Sequence, residues 1–369
     1  MPTRTYRYFF LTIGVLLITG YFLLLRKSDS REICADGSVP LRLSVVGDLL
    51  LGGGKAWQQI VGDGYGSAIF KGYSDVLEQS DLIFANFEGI ITEREKARQK
   101  GLPVEFSLRT DPSGIRFLEQ FKPLVLSFAN NHSADFGYEA IEDTLGLLSG
   151  TEGVTSVGIG RNREDALRPY IFSTSGTRIA FLAFTDLLPE DYYASGTGTG
   201  VAKLTADNLR EAIAFARQDS DVVVVSLHTA EDVGSPFSFW PDQHQRSLSR
   251  LAIDYGADVV VGQHPHGLQW AGYYRSKLIF YSLGLFLYDP AASQRSFSNQ
   301  ALSYATQFRG GGILTLAVCK NGVLGFTLEP VKMRYEKDGL QLAAASLPKR
   351  LLTMLNVISI AIVQKLAVF

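Results

Sequence analysis

The chain has 369 residues, a formal net charge of -2 and 46% hydrophobic residues. That length supports one large domain or two with an ample core, and the near-zero charge lacks the basic face that general nucleic-acid binding needs, so no nucleic-acid partner is expected. The two cysteines, Cys34 and Cys319, lie far apart without CxxC spacing, which excludes a zinc finger or a disulfide framework; whether they form a single bridge is not readable from sequence.

The N-terminus carries an apolar stretch from Tyr8 to Leu25, flanked by Arg4 and Arg7 on one side and Arg26 and Lys27 on the other. A helix needs about 20 apolar residues to span a bilayer. No small-x-small cleavage pattern follows, so residues 1–27 are expected to be an uncleaved anchor rather than a removed signal peptide. Residues 28–40 read as a linker. Leu41 to Val46 is a β run, Ala68 to Gln79 is helical in pattern, and Asp81 to Ala85 is a short strand. Ile115 to Phe121 reads as a helix opened by Asp111-Pro112-Ser113, then Leu124 to Phe128 as a strand and Tyr138 to Leu148 as a helix. Ile171 to Phe184 reads as a hairpin about Ser175-Gly176, and Thr205 to Arg217 as a helix with a Thr-x-x-Asn opening. Val222 to Leu227 is a buried strand, Gln243 to Tyr255 a helix and Asp258 to Val261 another strand. After Ile279 strands and turns continue to about Tyr335. Asp186 to Gly200 and Asp289 to Gly312 read as long loops, and residues 346–369 as a C-terminal amphipathic helix. Such alternation predicts an α/β fold.

Polar clusters stand at the ends of the predicted strands. The most telling is Gly262-Gln263-His264-Pro265-His266, since extended backbone would point two imidazoles two residues apart toward one spot. Others are Gly47-Asp48 with trailing glycines, Asn86-Phe87-Glu88-Gly89, Ala129-Asn130-Asn131-His132, and His228. Four of the five histidines follow predicted strands, whereas His244 falls within a helix and reads as a surface residue. Each cluster alone has a plain explanation as a cap or a solvated charge. One shared site at the carboxyl ends of the strands explains them together. Mixed nitrogen and oxygen donors without thiolate suit Mn, Fe or Zn, one ion or two, with Glu88 or Asp48 as the bridging carboxylate.

The order of these motifs, completed by Asp135 and Gly137 after Asn-Asn-His and by Tyr281-Ser282-Leu283-Gly284, resembles the bacterial capsule-synthesis CapA family. The resemblance covers roughly residues 41–290 and implies a metallophosphatase-type, four-layer α/β/β/α sandwich, with the domain expected over residues 41–345 behind the N-terminal transmembrane helix read above. It implies metal ligation by Asp48, Glu88, Asn131, His228, His264 and His266, with His132 as the catalytic histidine. Asn86 and Asn130 are expected to contact substrate. The chain departs from typical phosphatases at Leu50, where they carry histidine, and from the family's usual residues at Thr229-Ala230 and Leu285. Two functions follow as expectations. One is a membrane-anchored hydrolase acting on a phosphoester or amide bond in the synthesis or export of a poly-γ-glutamate-type capsule or other surface polymer. The other is a non-catalytic subunit that binds this anionic polymer or its precursor for a membrane synthase. Either places the domain outside the cytoplasm.

Overall fold

The computed structural model describes residues 33–51, 73–98, 107–231, 240–288, 310–336 and 339–344. The first half carries β1 (Leu41–Leu50), α1 (Ser74–Glu78), β2 (Leu82–Phe87), β3 (Ile90–Ile91), β4 (Arg109–Thr110), α2 (Ile115–Leu118), β5 (Leu124–Ser127), α3 (Tyr138–Ser149), β6 (Val154–Val157), β7 (Ile159–Gly160) and α4 (Arg163–Leu167). Next come β8 (Tyr170–Thr174), β9 (Thr177–Thr185), β10 (Gly200–Val201), α5 (Ala206–Asp219), β11 (Val222–His228), α6 (Gln243–Asp254) and β12 (Val259–Gln263). The chain then forms β13 (Ala271–Tyr274), β14 (Lys277–Phe280), β15 (Leu285–Tyr288), β16 (Gly311–Cys319), β17 (Gly322–Glu336) and β18 (Gly339–Ala344).

Two sheets organise these strands. The larger runs β18-β17-β16-β1-β2-β5-β6, with β15 also paired to β1; the second runs β13-β14-β12-β11-β9-β8. Strands β1, β2, β5 and β6 pair in parallel, as do β9, β11, β12 and β14. Their carboxyl ends are where open α/β sheets place ligands.

Side-chain alternation explains the layering. In β9, Ile179, Phe181 and Ala183 enter the core shared with the larger sheet, while Ala180, Leu182 and Phe184 enter a second core with α5 and α6 residues. The same split divides Val222 and Val224 from Val223, Val225 and Leu227 in β11. Phe84 of β2 and Phe181 of β9 stack across the interface with ring centroids 5.4 Å apart. On the other face of the larger sheet, Ile83, Ala85 and Leu124 meet Leu77 of α1 and Phe117 and Leu118 of α2 around a small apolar cavity. The order is therefore helix, sheet, sheet, helix, with the parallel strands apolar on both faces.

Local chemistry sets the element ends. Thr205 caps α5 by accepting from Asn208 N, as the Thr-x-x-Asn opening predicts. Asp242 and Gln245 form a reciprocal capping box on α6. Ile115–Phe121 differs from the single helix expected: a short α segment, Ile115–Leu118, lies between 3-10 turns at Pro112–Gly114 and Glu119–Phe121. Pro123 follows at once and leaves no room for a longer helix. The 186–200 segment is docked rather than open, since Tyr138 Oη of α3 donates to Asp191 O at 2.5 Å and Thr199 Oγ1 to Glu142 Oε1 at 3.0 Å. Cys34 and Cys319 form a disulfide that ties the start of the domain to the end of β16.

The expected anchor, the start of the linker, residues 68–72, most of the 289–312 loop and the C-terminal helix lie outside the described residues. Among the described residues no helix is long and apolar enough to cross a membrane.

Candidate metal centre

Every site residue expected from the sequence comes from a strand end. Asp48 lies near the end of β1, and Asn86 and Glu88 flank the last residue of β2. Asn130, Asn131 and His132 follow β5; His228 ends β11; His264 and His266 follow β12. Two close backbone approaches aim these ends. A Cβ on Gly47 would lie 1.9 Å from Gly284 O, and one on Gly262 would lie 2.0 Å from Tyr281 O, so only glycine lets neighbouring segments come this near. At the first contact Asp48 N donates to Gly284 O at 2.8 Å, which sets Asp48 at the junction between the sheets.

The donors form two groups that share one carboxylate. Glu88, His228 and His264 offer ligand atoms within 4.8 Å of one another, and so do Asp48, Glu88 and His266. His264 Nδ1 lies 3.1 Å from His228 Nε2, and Asn131 Oδ1 lies 2.8 Å from the same Nε2. His266 Nδ1 lies 3.0 Å from Asp48 Oδ2, and its Nε2 lies 3.3 Å from Glu88 Oε1. Two nitrogens bound to one zinc-sized ion at about 2.0–2.1 Å sit roughly 3 Å apart, so the His228–His264 spacing fits joint ligation. Imidazole, carboxylate and amide donors without thiolate suit the borderline divalent ions.

The geometry corrects one expectation. His264 and His266 are not in extended backbone: their φ values are 95° and 54°, in the left-handed region. The strand stops at Gln263, and the two imidazoles turn to different donor groups rather than to one spot. Non-glycine residues held at such angles concentrate at functional sites.

Burial keeps the imidazoles of His228 and His264 neutral. It drives the His228 pKa well below the usual histidine value, with His264, His266 and His132 adding repulsion. His264 is pushed down to about 3, again mainly by burial, then by His266 and His132. A neutral imidazole is the form that binds metal.

His132 lies at the edge of the cluster. Its Nδ1 is 2.8 Å from Asp135 Oδ2, and its Nε2 is 3.9 Å from Glu88 Oε1. Asp135 belongs to the Asn-Asn-His motif region, but its hold on His132 emerges only from the turn after β5. Asn86 and Asn130, expected to touch substrate, are fully buried, and protein groups occupy their amides. That placement suits positioning rather than contact. Leu50 is fully buried against Leu108 and adds no donor to the Asp48 group. His244, expected as a surface residue, is 36% exposed at its side chain and places Nε2 2.5 Å from Asp186 Oδ2, a pair with no local sequence signal.

The sequence profile described as bacterial capsule synthesis protein PGA_cap matches residues 42–290. The chain belongs to this family. The match contains all the proposed ligands and both sheets' parallel strands. Within curated proteins, the chain is 27% identical over 330 residues to the PGA biosynthesis protein CapA of Bacillus subtilis (strain 168), covering 89% of this chain and 81% of that protein. It is 29% identical over 279 residues to the capsule biosynthesis protein CapA of Bacillus anthracis, covering 74% and 66%. A solved structure with a similar fold is the calcineurin-like phosphoesterase YfkN from Bacillus subtilis, with TM-score 0.38, 11% identity, and coverage of 83% of this chain and 89% of that one.

Proposed function

We propose that this PGA_cap-family chain is a metal-dependent hydrolase acting on a phosphoester or amide bond during synthesis or export of a poly-γ-glutamate-type capsule polymer. The observation that carries the reading is the pair of donor groups joined at Glu88, with His132 Nε2 3.9 Å from its Oε1. Family membership and the names of the capsule-synthesis relatives support the polymer as substrate class. Asp48, Glu88, Asn131, His228, His264 and His266 would hold the metal, with Glu88 reaching both groups. A divalent ion there supplies electrophile polarisation and a more acidic water. His132 does the proton work: Asp135 engages Nδ1, which leaves Nε2 to hold or release a proton at the leaving atom. Within this reading the apolar N-terminal stretch anchors the chain, and the domain lies outside the cytoplasm. The Cys34–Cys319 disulfide supports that side, because such bonds persist in oxidising compartments.

A second reading is favoured by Leu50. Leu50 leaves the Asp48 group without the histidine that typical phosphatases carry at this position, and the alternative is a subunit that binds anionic polymer for a membrane synthase without cleaving it. Metal analysis of the full-length protein, paired with hydrolysis of generic phosphoesters and of poly-γ-glutamate, separates the two. The hydrolase reading expects bound divalent metal and turnover, both lost in a His264→Ala/His266→Ala variant. Equal metal in parent and variant after chelation and reloading sinks the site; bound metal without turnover leaves the binding subunit.

A further inference from the structure

We propose that Asn86 is a positioning residue that selects which ring nitrogen of His228 is open to a metal ion, through one amide shared between His228 and Asp48. The inference rests on the metal-site reading above. Asn86 Nδ2 donates to Asp48 Oδ1 at 2.8 Å and lies 3.1 Å from His228 Nδ1. Asp48 and His228 belong to different donor groups, so one amide touches both halves of the site.

The orientation of that amide follows from its surroundings. A carboxylate oxygen only accepts, so Asp48 Oδ1 calls for the Asn86 nitrogen. On its other side Asn86 Oδ1 faces Asn130 Nδ2 at 3.5 Å. Asn130 is itself fixed by two backbone groups: its Nδ2 donates to Phe87 O at 2.7 Å, and its Oδ1 accepts from His132 N at 3.0 Å. Both neighbours therefore select the same orientation of Asn86.

The consequence falls on His228. With an N–H group directed at Nδ1, that nitrogen accepts, and the neutral ring carries its proton on Nε2. The proton faces Asn131 Oδ1 at 2.8 Å, and His264 Nδ1 lies 3.1 Å away. A protonated Nε2 has no lone pair for a metal. Ligation through Nε2 requires the proton on Nδ1, and a proton there needs an acceptor. The acceptor at hand is the oxygen of the same Asn86 amide, presented once the amide turns over. Turning it over also withdraws the N–H from Asp48 Oδ1. The tautomer of His228 and the hydrogen bonding of Asp48 thus change together, which links the two donor groups through one amide.

Nitrogen NMR of histidine-labelled full-length protein tests this, with the His228 signal assigned by its loss in His228→Gln. The metal-free parent should show His228 protonated on Nε2; a ring protonated on Nδ1 overturns the proposal. Asn86→Asp leaves only acceptors beside the ring and should move the proton to Nδ1; an unmoved proton overturns it. Zinc ion alone should produce the same move in the parent, and Asn86→Asp should bind zinc about tenfold more tightly, the scale on which such outer partners act. Zinc binding with the His228 proton still on Nε2 counts against the proposal. If the parent binds no zinc, the metal reading fails by itself, and the two metal-free spectra still decide the role of Asn86.

Discussion

His132 and Asp135 form a buried pair, with His132 Nδ1 2.8 Å from Asp135 Oδ2 and Leu108 N donating to the same oxygen at 2.7 Å. The carboxylate holds the ring by one nitrogen and directs the other toward the cluster. Asp135→Asn should therefore keep the metal and lose turnover. His132→Ala should lower turnover by about 10²- to 10⁴-fold, the usual range for a general acid or base. Metal content measured beside hydrolysis rates checks both. A His132→Ala protein as active as its parent would remove this histidine from the reaction.

Gly47→Ala should be costly out of proportion to one methyl group. Its Cβ would lie 1.9 Å from Gly284 O, a backbone atom in a paired segment that cannot swing aside. We expect a loss of about 3 kcal/mol in urea unfolding, at the upper end for overpacking. Gly146→Ala is the control: this exposed glycine lies inside α3 with nothing within 4 Å of its added Cβ. That change should stabilise by roughly 0.5–1 kcal/mol, because alanine gives up less backbone freedom in a helix. Equal effects at the two positions would contradict the close approach.

Tyr193 makes alkaline stability measurable at one residue. Burial raises its pKa to about 12, partly offset by Leu188 N, which donates to Tyr193 Oη at 2.9 Å. The fold favours the neutral phenol, so this contribution is complete below the unfolded value of about 10 and is lost as pH rises toward the folded value. Between those limits Tyr193→Phe should flatten the fall in unfolding free energy by on the order of 1 kcal/mol. The slope is the readout, since the variant also loses the Leu188 contact at every pH. Identical slopes in urea titrations would show that Tyr193 ionises alike in the folded and unfolded chain, which contradicts a raised folded pKa.

The Cys34–Cys319 bond closes a separation of 285 residues. Its removal by Cys34→Ser should cost about 2–5 kcal/mol. Protease treatment of intact spheroplasts should digest the domain while a cytosolic marker survives, and thiol labelling without reductant should find both cysteines blocked. Protection of the domain until lysis, together with free thiols, would place it in the cytoplasm and count against the capsule role.

Much of the fold was legible from sequence because its signals are local. The run Val222 to Leu227 reads as a buried strand, and the Thr-x-x-Asn opening at Thr205 announced its helix. Where local signals competed, the reading was less sharp. Ile115 to Phe121 has helical periodicity, but the cap at Asp111 and the proline at 123 leave a span that relaxes into 3-10 turns.

The sequence by itself determined the chemistry of the site: which imidazoles, carboxylates and amides stand at strand ends, and the PGA_cap-type order in which they come. Tertiary structure alone decided how they divide. His264 and His266 are two residues apart, yet left-handed backbone sends one toward His228 and the other toward Asp48. Asn86 and His228 are separated by 142 residues, and no spacing rule reaches that far. Their meeting depends on two sheets packing face to face, which places the carboxyl ends of β2 and β11 on either side of one amide. Chain order carries the identity of each donor, but packing between layers fixes its partners.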